Sequence, residues 1–208
     1  MISIFAHGLG QDSTAWNKTK SFMKNTRDIA CPNLFSLLSG HEPDYNNLYR
    51  AFSEYCKAYS EPIDICGLSL GAVLALNYAI DNPGRVRSLT LIGAQYKMPK
   101  LLLGLQNIIF GFMPKSAFKK LGISKSEVII LTRSMLSLDF SGQLKNLHCP
   151  TLIVCGEKDS ANINAARELT QQIKNAGLEI IAGSGHEVNV DAPEKLAEIL
   201  CDFWGNLK

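Results

Sequence analysis

Apolar residues come in short bursts along this chain, separated by longer stretches where they recur about every 3.6 residues. The bursts, rich in Ile, Leu, Val and Cys, predict strands at 2–6, 28–31, 63–66, 87–92, 151–155 and 178–182. The intervening patterns predict helices at 16–24, 45–59, 70–81, 162–174 and 192–204. In the last of these, Ala192, Leu196, Ala197, Ile199, Leu200 and Phe203 fall on one face, which must be buried. Pro83-Gly84 ends the helix expected at 70–81, and Pro150 opens the fifth strand. Regular alternation of strand and helix predicts parallel βαβ construction.

The alternation breaks between the fourth and fifth strands. Residues 101–113 are far more apolar than a surface helix needs, yet too short to span a bilayer. Pro114 follows, then a lysine-bearing stretch and a helical pattern over 124–138. A helical insertion at 95–147 is expected, with 1–94 and 148–208 forming the core around it. Charge sets the same segment apart. Residues 95–148 carry eight Lys or Arg against only Glu127 and Asp139, in a chain whose net charge is +2. Such an excess can meet an acidic partner, or it can simply keep an apolar insertion in solution.

With 208 residues, 46% hydrophobic and 19% charged, the chain can bury one substantial core, and disorder is excluded. Six cysteines at 31, 56, 66, 149, 155 and 201 form no C-x-x-C pair, and Cys66 and Cys155 lie inside apolar runs, as reduced buried thiols do. Residues 1–8 lack the basic and long apolar regions of a secretory signal. No run of about 18 apolar residues exists to cross a membrane. The expected location is the cytoplasm, and the charge pattern suggests no nucleic-acid partner.

Three residues with reactive or titratable side chains stand just after predicted strands, where ligands of open α/β sheets bind. Ser69 lies in Gly67-Leu68-Ser69-Leu70-Gly71, between a strand and a helix. So sharp a turn forces the serine into a strained backbone, and the glycines let neighbouring chain pass closely. The same pentapeptide without chemistry is a small-residue turn. Asp159 follows the fifth strand in Gly156-Glu157-Lys158-Asp159; it could equally cap the next helix, and Glu157 is a competing acid with less reach. His186 follows the sixth strand in Gly185-His186, whereas His41 and His148 follow no strand. After the first strand comes His7-Gly8-Leu9-Gly10, a loop able to bring the Leu9 N–H close to a nucleophile. The Leu70 N–H, at a helix N-terminus, is a second such donor. His7 is expected to shape this loop by hydrogen bonding.

Taken together, His7-Gly8-Leu9-Gly10, Gly67-Leu68-Ser69-Leu70-Gly71, Gly156-Glu157-Lys158-Asp159 and Gly185-His186, in this order, resemble the α/β-hydrolase superfamily in its capped, serine-nucleophile, carboxylesterase-like branch. The likeness spans nearly the whole chain. It implies a Ser69–His186–Asp159 triad, an oxyanion hole from the N–H groups of Leu9 and Leu70, and no metal or cofactor. It also implies a sheet in the order 2-1-3-4-5-6, with the insertion placed where the family has its cap. The antiparallel strands that open the family's sheet are missing here, so about six parallel strands flanked by helices are expected. A serine nucleophile excludes the aspartate-using dehalogenases and epoxide hydrolases. Some members carry the acid after the fourth strand; Gly93-Ala94-Gln95 offers no carboxylate there, which favours Asp159.

The activity so implied is hydrolysis of a carboxylic ester or thioester with a small, hydrophobic acyl group. Phe110, Phe112 and Met113 of the cap are candidate pocket residues, and equally candidate core residues. The loop from His7 through Trp16 is similar to that of carboxylesterases acting on acyl-carrier-protein esters, and a basic cap would suit an acidic carrier. Alternatives are carbon–carbon bond hydrolysis or lyase chemistry with the same triad, or a ligand-binding homologue of negligible turnover. Both a monomer and a homodimer are compatible with the sequence.

Overall fold

Six strands form one parallel sheet: β1 (Ile2–Ala6), β2 (Asp28–Ala30), β3 (Ile63–Leu68), β4 (Val86–Ile92), β5 (Thr151–Gly156) and β6 (Ala176–Ile181). Their order is β2-β1-β3-β4-β5-β6, and every neighbouring pair is parallel. The computed structural model describes residues 2–23, 27–98 and 124–207. Phe110, Phe112 and Met113 therefore lie outside the described residues, as does the whole apolar stretch 101–113.

The described helices are α1 (Asn17–Phe22), α2 (Leu34–Leu37), α3 (Tyr45–Lys57), α4 (Leu70–Asp81), α5 (Lys125–Ser134), α6 (Ile163–Gln172), α7 (Val188–Asp191) and α8 (Pro193–Gly205). They cover both faces of the sheet, because successive strand residues point to opposite sides. Ile4, Ile65, Leu89, Leu91, Ile153 and Cys155 enter one core with residues of α3, α4, α5 and α6. Phe5, Cys66, Leu68, Ile92, Leu152 and Val154 enter a second, with Trp16 and the Leu196, Leu200 and Trp204 side of α8. Phe5 meets Trp16 edge-on at 5.0 Å, which fixes the ring packing of that layer.

Helix α4 is apolar all round, and Leu70 through Leu76 are all buried. It sits so close to the sheet that a Cβ on Gly71 would lie 2.2 Å from the Ala6 carbonyl oxygen, and one on Gly67 would lie 2.3 Å from that of Gly71. Only glycine permits this approach, and it brings the helix N-terminus over the carboxyl ends of β1 and β3.

The described end of the insertion is not a separate layer. Residues 96–98 run antiparallel to 138–140, with Met98 N–H donating to Leu138 O at 3.1 Å and Phe140 N–H to Tyr96 O at 2.8 Å. Ser124 and Glu127 form a capping box at the start of α5. Val128, Leu131, Met135, Phe140, Leu144 and Leu147 are buried in the main core. The Ser134 hydroxyl accepts from the Tyr45 N–H at 2.8 Å, which pins α5 to α3.

Far from the loop end of β3, the fully buried Asp64 carboxylate is held by Arg27 at 2.7 Å, by Arg87 through two nitrogens, and by the Ser88 hydroxyl at 2.5 Å. Arg27 also lies over the Trp204 ring, 4.7 Å from its centroid. Removing one partner of a buried ion pair strands the others, at a cost of about 3–5 kcal/mol. Asp64→Ala is expected to lower unfolding stability by that much in urea titration, while the site about 17 Å along the strand keeps its geometry. A loss below about 1 kcal/mol would show that the cluster contributes little.

Candidate active site

The turn after β3 is built around Ser69, the only non-glycine residue with positive φ among the described residues, at φ 53° and ψ −113°. Such a conformation costs about 1–3 kcal/mol and persists only when its surroundings hold it. Two backbone bonds do so: Ser69 N–H donates to Ile92 O at 2.9 Å, and Val73 N–H donates to Ser69 O at 3.0 Å. The serine is half-buried, at the N-terminus of α4.

The loop after β1 passes beside it. A Cβ on Gly8 would lie 3.5 Å from Ser69 Cβ. His7 is fully buried and anchors this loop: the Leu34 N–H donates to its Nε2 at 3.0 Å. Nδ1 must then carry the proton, which it donates to Gly8 O at 2.9 Å. Burial pushes the His7 pKa down, so the ring is neutral and both nitrogens are engaged. The expectation that His7 shapes the loop is met by these bonds. Among the described residues, neither the Leu9 nor the Leu70 N–H donates to a loop or cap carbonyl.

In the loops after β5 and β6, His186 Nδ1 meets Asp159 Oδ2 at 2.7 Å. The Asp159 side chain is buried, while that of His186 is 41% exposed. Gly93 links this pair to the serine turn through the end of β4. It follows Ile92, whose carbonyl holds Ser69, and it has φ 55°. A Cβ there would lie 2.9 Å from His186 Cε1 and 3.3 Å from Asp159 Oδ2. A side chain after β4 would displace the imidazole.

Asp159 does not cap α6. Its backbone carbonyl accepts from Ile163 N–H, and its carboxylate instead receives the Asn162 amide at 2.8 and 2.9 Å. Glu157 turns away to accept from Gly183 N–H at 2.9 Å, and His41 and His148 are exposed elsewhere. Asn162 was not legible as a site residue, since nothing about an asparagine three positions past an aspartate marks it. Gln11 and Asn189 were missed likewise. They exchange amide bonds at 3.2 Å, and Gln11 also donates to Glu187 at 2.9 Å, which joins the Gly8 loop to the His186 loop.

The electrostatics follow from these bonds. The hydrogen bond to Asp159 raises the His186 pKa above 6.5, against the opposing effect of burial. Burial works against ionisation of Asp159, but hydrogen bonds from His186 and Asn162 outweigh it, and its pKa lies below 3.8. The stability this pair supplies is present between those limits. It is lost on the alkaline side as pH rises through the His186 value and on the acid side as pH falls through that of Asp159.

A strained serine at a helix N-terminus, a glycine loop beside it and a His–Asp pair across a bare glycine occupy the carboxyl end of a parallel sheet. A family model described as the alpha/beta hydrolase family matches residues 4–199, and the chain belongs to that family. It is 25% identical over 174 residues to the monoacylglycerol lipase ABHD6 of Mus musculus, an alignment covering 70% of this chain and 49% of that protein. A shorter match, 34% over 65 residues, is to a proline iminopeptidase of Lactobacillus delbrueckii subsp. bulgaricus and covers 31% and 22%. The chain thus spans about half the length of its lipase relatives. Among solved structures, MenH from S. aureus superposes with a TM-score of 0.82 at 16% identity, covering 99% of this chain and 93% of the other. An esterase from Thermogutta terrifontis gives 0.79 at 16%, covering 100% and 90%. These two share the fold.

Proposed function

We propose that the protein is a serine hydrolase that cleaves carboxylic esters or thioesters of a small, hydrophobic acyl group through an acyl-enzyme. The observation that carries this reading is the end of β4, where Ile92 O holds the strained Ser69 and the next residue, Gly93, packs against the His186–Asp159 pair. In this reading the Ser69 hydroxyl attacks the carbonyl carbon while His186 Nε2 takes its proton. Asp159, bonded to Nδ1, fixes the tautomer and stabilises the imidazolium. The N–H groups of Leu9 and Leu70 receive the developing oxyanion. His186 then protonates the leaving alcohol or thiol, the acyl group remains on Ser69, and water repeats the sequence with the histidine again as base.

Relatives that are monoacylglycerol lipases support a single-chain acyl ester as substrate. In this reading 95–147 is the cap over Ser69, and Phe110, Phe112 and Met113 line the acyl pocket. Its basic charge would favour an acidic acyl carrier as donor, in which case high salt slows turnover on the carrier-borne ester and leaves a neutral ester unaffected. The described residues contain no helix long and apolar enough to cross a membrane, and six free cysteines favour a reducing compartment such as the cytoplasm.

Turnover of p-nitrophenyl esters of increasing acyl length tests the reading. Hydrolysis with a clear optimum in chain length is expected; folded protein that cleaves none of them would contradict it. Because the base acts when unprotonated, kcat/KM should rise with pH along a limb whose midpoint lies above 6.5, the direction in which Asp159 moves His186. A midpoint below 6.5 would contradict the assigned pairing.

A further inference from the structure

Asn162 occupies an unusual place. Its side-chain NH2 donates to both oxygens of Asp159, at 2.8 and 2.9 Å, and lies 3.2 Å from His186 Nδ1. Its own carbonyl oxygen accepts from Gln95 Nε2 at 2.8 Å, and the same Gln95 amide donates to Ala161 O at 3.1 Å. The Gln95 bond fixes the amide orientation. With Oδ1 engaged there, only the NH2 end can face the carboxylate. Asn162 is buried, and its side chain caps nothing in α6, so helix formation does not account for these contacts.

We propose that Asn162 is a positioning residue that shares the Asp159 carboxylate with His186 and, through Gln95, ties that carboxylate to the first residues of the insertion. The proposal rests on the hydrolase reading above. Its physical content is a competition. The NH2 group presents partial positive charge to the same oxygens that His186 uses, and to the imidazole itself. It thereby holds the carboxylate in the plane of the ring while opposing an excess of positive charge on the ring. A histidine bonded to an unshared buried carboxylate would hold its proton too tightly to serve as a base near neutral pH. The other charged group acting on this ring is Glu187, adjacent in the chain. It favours the protonated ring. At the end of β4, the uncharged Gly93 packs against it. Among these described neighbours, Asn162 is the group that pushes the other way.

The position of Gln95 extends the consequence. It stands directly before Tyr96, where the insertion's two ends are bridged by the pairing of 96–98 with 138–140. The pairing of 96–98 with 138–140 is thus linked to His186 through the amides of Gln95 and Asn162.

The test is an NMR titration of the histidine Cε1–H resonances in the full chain, with wild type compared to Asn162→Leu, Asn162→Ser and Gln95→Leu. The chain has four histidines, and His186→Gln assigns the relevant signal. Leucine keeps the volume and removes the donor; serine keeps a donor. The expected result is an upward shift of the His186 midpoint in Asn162→Leu, a smaller shift in the same direction in Gln95→Leu, and partial return in Asn162→Ser. The resonance of buried His7 should be unmoved in all three, reporting an intact fold. In parallel, the rising limb of kcat/KM should move up with the NMR midpoint. Activity should then fall several-fold at about pH 6 and recover to within about twofold of wild type at about pH 9. An unchanged or lowered His186 midpoint in folded Asn162→Leu would overturn the proposal. So would equal losses of activity at both pH values without a shift, since that is the signature of a merely structural residue. If wild type cleaves no ester but the NMR midpoint still moves as stated, the hydrolase reading fails and the shared carboxylate stands.

Discussion

Ser69→Ala is expected to reduce kcat by about 10⁶-fold, His186→Ala by a similar factor, and the double variant by hardly more than either alone. The non-additivity is the informative part. A nucleophile without its base, or a base without its nucleophile, leaves only the oxyanion donors and substrate binding to act, so the second substitution has nothing further to remove. KM should change little, because neither side chain is assigned to hold the acyl chain. The serine itself is strained, at φ 53°, so Ser69→Ala keeps the Cβ and the same backbone cost; stability should stay within about 0.5 kcal/mol of wild type. Steady-state kinetics on the best p-nitrophenyl ester, with denaturation curves for each variant, checks both statements. Multiplicative losses in the double variant would mean that the two residues act independently.

Asp159→Asn carries the next largest effect, about 10⁴-fold in kcat, the scale on which loss of the correct imidazole tautomer acts. An asparagine there can present its NH2 to His186 Nδ1, which places the ring proton on Nε2 and turns the proposed base into a donor facing Ser69. The Asn162 amide would press the new side chain the same way, since its own NH2 needs an acceptor at the position of Oδ1 or Oδ2. Loss of the carboxylate also removes the main cause of the raised His186 pKa, so the residual activity should show its rising limb at lower pH than wild type. A limb that stays in place would point to another carboxylate, Glu187 being the first to examine.

How much of this could be read from the residues alone varies by element in a physically sensible way. β1 and α4 match their sequence ranges, 2–6 and 70–81, because their largely apolar composition stands out and nearby punctuation is local: Gly8 follows β1, and Gly67 and Pro83 flank α4. The strand order 2-1-3-4-5-6 came through resemblance, and the sheet has that order. β6 begins earlier than expected, at Ala176, because pairing with Thr151 at the start of β5 recruits small residues that carry no strand signal of their own. The helix expected at 16–24 starts as a 3-10 turn at Ser13–Trp16, where Asp12 accepts from Thr14 N–H at 2.8 Å. Asp64 gives no local hint of its partners, which lie 23 to 37 positions away. Ser69, Asp159 and His186 stood out because each follows a strand. Gln11, Asn189, Gln95 and Asn162 did not, because an amide's significance depends on which loop folds onto it, and that is decided only by the tertiary fold.

The account stands or falls on Ser69 as an activated nucleophile, and a fluorophosphonate probe asks that directly. Such a probe reacts with a serine whose hydroxyl is activated by a neighbouring base and whose adduct oxygen finds an oxyanion site. Peptide mapping of labelled, folded protein should place one phosphonyl group on Ser69, with labelling greatly slowed in His186→Ala. Folded wild-type protein that takes up no label, or that carries it on a serine other than Ser69, would contradict the account.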